Sequence, residues 1–250
     1  RKVETWGPKG ERVPVNFEPV FRRLNKLCVC DFCHATTKWL DDDGRMKNYQ
    51  CWSCGGMNRL RRVRLFADSN SDWLDPKWPV ETLAKFLDAI RLAPNVDVQL
   101  LTKRPEGFDP GMSQILHWAH DQLEASDELQ KVDHDDKPNS TLFQFLYYWI
   151  IKKTPPPNVW LGVSVEDQQR ADERIPLLLK TPAAVRFVSA EPLLGKVDLG
   201  YVDCGVSCSP LSPVVGNGID WVVVGGESGP SRRDCGVAAI ESVADQCLAA

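Results

Sequence analysis

Histidine is scarce in this sequence: His34, His117, His120 and His134 are the only four in 250 residues. None of them follows a strand-like segment. That excludes a histidine-ligated metallohydrolase centre at the strand ends, and it excludes a Ser-His-Asp or Cys-His set there as well. Long apolar runs are also missing. No stretch of about 18 apolar residues occurs, so no transmembrane helix is expected. The opening "RKVETWGPKG" lacks the apolar stretch of a secretory signal. The chain starts at Arg1 and stops inside a helical pattern, so it is expected to be a fragment at both ends.

Composition is that of a globular protein, 43% hydrophobic and 26% charged, with one large domain or two small ones. A chain of this size can bury a sizeable core, so its cysteines are not needed to rescue an undersized fold. The net charge of −4 is unevenly spread. Residues 1–64 hold 14 Lys/Arg against 7 Asp/Glu, while the remainder holds 16 against 27. A basic first part on an acidic body fits a polyanion contact in that part or a solvated loop region. "RLRRVR" (59–64) is the densest basic run.

Five of the nine cysteines fall in "CVCDFCHATTKWLDDDGRMKNYQCWSC", residues 28–54. An odd count with C-x2-C pairs points to metal or redox chemistry in a reducing compartment, so a cytoplasmic location is expected. Cys30-x2-Cys33, seventeen residues, then Cys51-x2-Cys54 has the spacing of a zinc ribbon. Four thiolates would close a tetrahedral Zn²⁺ site, and a closed site is structural rather than catalytic. Free thiols and a rubredoxin-like iron site are the alternatives; Cys28 and His34 lie close enough in sequence to exchange as ligands. Cys204, Cys208, Cys235 and Cys247 read as ordinary thiols, Cys247 as a core residue.

Downstream the pattern becomes regular. Apolar, β-branched runs at 63–67, 96–101, 158–163, 185–190 and 220–226 read as strands buried on both faces. Helical patterns lie between them. Val80, Leu83, Ala84, Leu87 and Ile90 share one face, as do Ala171, Ile175, Leu178 and Leu179, and as do Val237, Ile240, Val243, Cys247 and Leu248. The expected fold is α/β, a partial TIM-type (β/α) barrel over 63–250, with a doubly wound open sheet as the alternative. Residues 1–62 form a basic arm carrying the ribbon (about 26–58). Insertions are expected at about 109–157, with two helices, and about 200–218.

In a βα barrel the working residues stand where strands end. Those positions hold Asp68, Ser69, Asn70 and Asp72; Thr102, Lys103 and Arg104; Ser164, Glu166 and Asp167; Ser189 and Glu191; and Gly225, Gly226, Glu227 and Ser228. Plain readings exist for several. Ser164 with Asp167 has the look of a capping box, Lys103-Arg104 of a solvated loop, Glu191-Pro192 of a turn anchor and Gly225-Gly226 of a tight turn. Taken together, carboxylates beside a Lys-Arg pair suit a zwitterionic small molecule, or Mg²⁺ with a phosphorylated ligand.

The strings "LLTKRPE", "PNVWLGVSVEDQ", "ADERIPLLL", "TPAAVRFVSAEPLLG" and "DWVVVGGESGP" closely resemble the phage gene-product 37/68 family, domain of unknown function 5131, over roughly residues 63–250; "WGPKGERVP" is a looser match. That family is similar to the radical S-adenosylmethionine (SAM) enzymes. The resemblance implies a partial barrel, a [4Fe–4S] cluster on three cysteines, and SAM at a mouth lined by Lys103, Arg104, Glu166, Glu191 and Glu227. The implied C-x6-C-x2-C motif is expected before "WGP", whereas no cysteine precedes Cys28 and position 23 is Arg. A motif upstream of Arg1 is the expectation. Three functions follow: a radical-SAM-like enzyme of phage or bacteria, a nucleic-acid-associated protein using the ribbon and arm, or a Mg²⁺ enzyme acting on a phosphorylated ligand. No membrane partner is expected.

Overall fold

The computed structural model describes residues 17–30, 36–38, 60–67, 71–126, 140–200, 210–211 and 218–250. It is a mixed α/β protein. The order of elements is α1 (Glu18–Leu24), β1 (Leu27–Cys30), β2 (Thr36–Lys38), β3 (Leu60–Ala67), α2 (Val80–Arg91), β4 (Val96–Thr102), a 3-10 turn (Pro105–Gly107), α3 (Phe108–Ala125), α4 (Leu142–Ile150), β5 (Val159–Ser164), α5 (Gln168–Lys180), β6 (Val185–Ala190), β7 (Trp221–Val224) and α6 (Val237–Ala249). The sheet runs β2-β1-β3-β4-β5-β6-β7, with β2 and β7 at its edges. From β3 onward the strands stand in sequence order, as repeated βα units require. β5, β6 and β7 pair in parallel, and β1 is antiparallel to both β2 and β3. Among the described residues, no helix is long and apolar enough to cross a membrane.

The chain divides into two compact units, residues 1–66, 79–98 and 115–145, and residues 67–78, 99–114 and 146–250. In the first, the basic arm is more structured than the sequence suggests. α1 has Pro19 in its first turn, Glu18 at its positive end and Arg22 and Arg23 at its negative end, each placed as helix termini favour. It lays Phe21 inward, and Phe17 and Phe21 meet Phe86 of α2 with ring centres 4.9 and 6.2 Å apart. α2 buries Ala84, Phe86, Leu87, Ala89 and Ile90. Asn25, just past α1, accepts from the Asn95 backbone at 2.8 Å and so ties the arm to the start of β4. "RLRRVR" does not merely precede a strand; most of it is β3 itself.

The second unit is built on β5 and β6. Val159, Leu161 and Val163 alternate toward α5, whose Ala171, Ile175 and Leu178 are buried. Trp73, Phe108 and Trp149 form an edge-on aromatic chain, with ring centres 6.2 and 5.8 Å apart. Buried Arg186 caps the end of α5, its guanidinium donating to the carbonyls of Thr181 at 2.7 Å and Leu178 at 3.3 Å. On the other face of the strands, Gly162 lies directly beside Phe187 on β6.

Several expectations change. α5 is capped by Asp167 itself, whose side chain accepts from the Arg170 N–H at 2.9 Å, so Ser164 and Asp167 do not form a capping box and Ser164 remains a buried strand residue. α6 buries Ala239 and Val243. Val237 and Leu248 are exposed, and so is Cys247, which is therefore not a core thiol. Of the ribbon cysteines, Cys33, Cys51 and Cys54 lie outside the described residues, and for Cys30 only the backbone within β1 is described. Asp68, Ser69, Asn70 and most of the 200–218 insertion lie outside them too.

A side chain at Gly162 has no room: a Cβ there would come within 2.5 Å of the tip of the buried Phe187 ring. Gly162→Ala is expected to destabilise the protein by about 1–3 kcal/mol through overpacking, read as a lower midpoint with unchanged slope in a urea melt.

Candidate functional site

All described strand-end residues named above lie in the second unit, and the structure wires them into ion pairs. The first centre is Asp72. Its Oδ1 accepts from the Thr102 hydroxyl at 2.7 Å and the Leu74 N–H at 3.0 Å, and its Oδ2 accepts from the Lys103 N–H at 2.8 Å and Arg104 Nη1 at 3.2 Å. The Thr102 oxygen in turn accepts from the Arg104 N–H at 2.9 Å. One carboxylate thus shapes the whole turn leaving β4, and "TKR" is a built corner rather than a solvated loop.

The second centre is Glu166, immediately past β5. Lys103 Nζ reaches Oε1 at 2.8 Å and Arg174 Nη1 reaches Oε2 at 2.9 Å. Arg174 also donates to the Ser164 carbonyl at 2.7 Å. Burial pushes the Glu166 carboxyl upward, but the Lys103 hydrogen bond and the charges of Arg174 and Lys103 outweigh it and hold the group below its ordinary range. The third centre is Glu227, which Arg233 grips through Nε at 2.8 Å and Nη2 at 2.9 Å, with the Arg233 N–H adding a third bond at 2.9 Å. These bonds draw the Glu227 carboxyl down to about 2. Arg233 is held charged chiefly by Glu227 and also by the field of Glu166.

Glu191 differs from the other three. Among the described residues its carboxylate has no cationic partner; the Ser189 hydroxyl lies 3.4 Å away. Its placement is nonetheless defined. The loop after β6 is laced down by Leu193 N–H to the Gly225 carbonyl at 2.9 Å and by Leu194 N–H to the Glu166 carbonyl at 2.8 Å. The Glu191 side chain then rests against Gly225, where a Cβ would come within 2.5 Å of Oε1. A side chain at Gly225 would therefore displace the Glu191 carboxylate from this position, and the Gly225 backbone needs no left-handed conformation. Gly226 has its own neighbour, Cys235, at 3.2 Å from a Cβ position.

Below the polar residues the same strand faces are aromatic. Trp160 meets Trp221 edge-on at 5.7 Å, and Phe187 lies 6.0 Å from Trp221. Of the described residues expected at the rim, Thr102 and Ser164 close β4 and β5, Ser189 lies within β6, and Asp72, Glu166, Glu191 and Glu227 follow in the loops. The structure brings Lys103 to Glu166 and Glu191 to Gly225; it pairs Arg104 inward with Asp72.

Two residues escaped sequence reasoning. Arg174 falls on the buried stripe of α5, at the spacing Ala171, Arg174, Ile175, Leu178, and a charge on a core-facing position signals a partner. Arg233 carries no comparable signal, because its bond to Glu227 closes a loop with no periodicity.

These features define an α/β protein with an ion-paired polar rim at the ends of its parallel strands. The family model described as "Protein of unknown function (DUF5131)" matches residues 21–250, and the chain belongs to that family. No curated protein and no solved structure matches it.

The sign of the Glu166 effect sets a pH test. A folded-state value below the ordinary 4.5 stabilises the protein above that pH, and the contribution is lost as pH falls through the lowered value. The stability gap between the wild type and Glu166→Gln is expected to be widest above that ordinary value and to shrink on acidification, measured by urea melts from neutral to acid pH.

Proposed function

We propose that this DUF5131 protein is a radical-SAM-like enzyme of phage or bacterial origin whose strand-end rim binds a small zwitterionic ligand. Asp167 is taken up by the cap of α5, and the observation that carries the reading is the division of labour among the other four described rim carboxylates. Asp72, Glu166 and Glu227 are neutralised by the protein's own cations, and Glu191 is left for an outside partner. Glu166 takes two cations, Lys103 and Arg174, so positive charge is in surplus there. An amino-acid moiety complements this arrangement, its ammonium on Glu191 and its carboxylate toward Lys103. The sequential strand order of β3 to β7 supports a partial TIM-type barrel as the scaffold.

SAM has such a moiety, and the rim fits it. A [4Fe–4S] cluster is a different matter, for the cysteines present do not fit the implied motif. Position 23, where its first cysteine would fall, is exposed Arg23 on α1, and Cys28 is fully buried. No C-x6-C-x2-C spacing occurs in residues 1–250. A structural Zn²⁺ on Cys30, Cys33, Cys51 and Cys54 accompanies the proposal. A Mg²⁺ enzyme is the weaker reading, because three of the four carboxylates already have their oxygens engaged by guanidinium, ammonium and N–H donors, whereas Mg²⁺ requires a near-octahedral oxygen shell.

Calorimetry with SAM tests the rim. The wild type is expected to bind it and Glu191→Gln to lose at least about tenfold in affinity, as removal of a charged hydrogen-bond partner implies. Thermal stability is expected to stay unchanged, since Glu191 is exposed. Absence of SAM binding by the wild type, or equal binding by the variant, would sink the assignment. Iron, sulfide and zinc analysis of the complete gene product, purified anaerobically, tests the metals: zinc without iron contradicts the radical chemistry.

A further inference from the structure

The described residues among the first 66 carry one sign of charge almost throughout. Arg22, Arg23, Lys26, Lys38, Arg61, Arg62 and Arg64 stand against a single carboxylate, Glu18. Arg22 and Arg23 occupy the last turn of α1 and Lys26 follows it; all three are exposed and line one groove with Glu18, Pro19 and Leu27. β1 begins at Leu27 and runs antiparallel to β3, with Cys28 opposite Arg62 and Val29 opposite Arg61. That register puts Lys26 at the end of the pair toward Arg64. Along β3, Arg62, Arg64 and Phe66 recur at every second position and so share a face. Arg64 is exposed, and Phe66 is 44% exposed, a large ring left open beside cations. Arg22 pairs with Glu18 and Arg62 with Asp97; the first of these pairs is solvent-exposed, and such pairs are weak enough to yield to a stronger anion.

We propose that this α1–β3 face binds single-stranded nucleic acid, with Arg22, Arg23, Lys26 and Arg64 on phosphates and Phe66 stacked on a base. Charge alone would suit any polyanion. Phe66 makes the choice: an open aromatic ring interleaved with arginines on an extended strand is a stacking platform for an unpaired base. The contact uses none of the cysteines expected to hold zinc and no rim residue, so it stands or falls independently of the small-molecule reading.

The test is fluorescence anisotropy of the purified chain with a labelled single-stranded DNA of about 20 nucleotides, titrated over a series of salt concentrations from about 50 mM upward. Affinity is expected to fall log-linearly with salt. Combining Arg22→Ala, Arg23→Ala and Lys26→Ala lowers the steepness by about 2, since each phosphate contact contributes about 0.7 on a single strand. Phe66→Ala weakens binding by roughly tenfold at every salt concentration and leaves the slope unchanged, while Phe66→Trp retains affinity. Lys196→Ala, an exposed lysine of the second unit, leaves binding as it is. Thermal melts by circular dichroism accompany each variant. No binding at the lowest salt, a wild-type slope in the triple variant, or an equal loss in Lys196→Ala overturns the proposal. Wild-type affinity in Phe66→Ala, with phosphatidylserine vesicles competing fully, overturns it in favour of a generic anion surface.

Discussion

The strand-end rim depends on one half-buried carboxylate, Glu166. It takes a cation from the turn after β4 and another from α5, while its own backbone carbonyl accepts from the loop after β6. Three separate segments therefore converge on a single residue. Burial opposes the charge of that residue and two cations restore it. Such a centre is costly to break by halves, because removing one partner strands a charge in a poorly solvated place.

The Asp72 and Glu227 centres repeat this economy on a smaller scale. Asp72 takes three hydrogen bonds from the Thr102–Arg104 corner and a fourth from the Leu74 N–H of its own turn. Glu227 and Arg233 close a loop on themselves by a planar, two-bond grip. The result is a rim whose shape is held by salt links rather than by a hydrophobic lid, above a floor of Trp160, Phe187 and Trp221.

Much of this scaffold was legible in the residues. β4 to β7 announce themselves through short, mostly apolar, β-branched runs, β3 through the apolar end of a basic one, and α2 and α5 show their stripes clearly. The strand-end positions were legible for the same reason. What was not legible has physical causes. α1, β1 and β2 are only 7, 4 and 3 residues long, too short for periodicity to rise above local charge. On α6 the stripe read from the sequence is only partly used: Val243 is buried with Ala239 beside it, Ile240 is half-buried, and Val237, Cys247 and Leu248 stay exposed. The partners of the rim carboxylates are long-range, and spacing along a chain cannot reveal that Asp72 and Thr102 meet. Arg174 was the exception, since its position on a buried stripe already asked for a counter-charge.

The attachment of α6 has a further consequence. Two small apolar residues and one polar clamp hold it: the Gln246 amide accepts from the Leu199 N–H at 2.6 Å and donates to the Val197 carbonyl at 2.9 Å. A helix tethered this way exposes little apolar surface when it lifts away, so its opening is nearly insensitive to denaturant. Its backbone amides are therefore expected to exchange with solvent through a local fluctuation, on a clock separate from the global unfolding that governs β5 and β6.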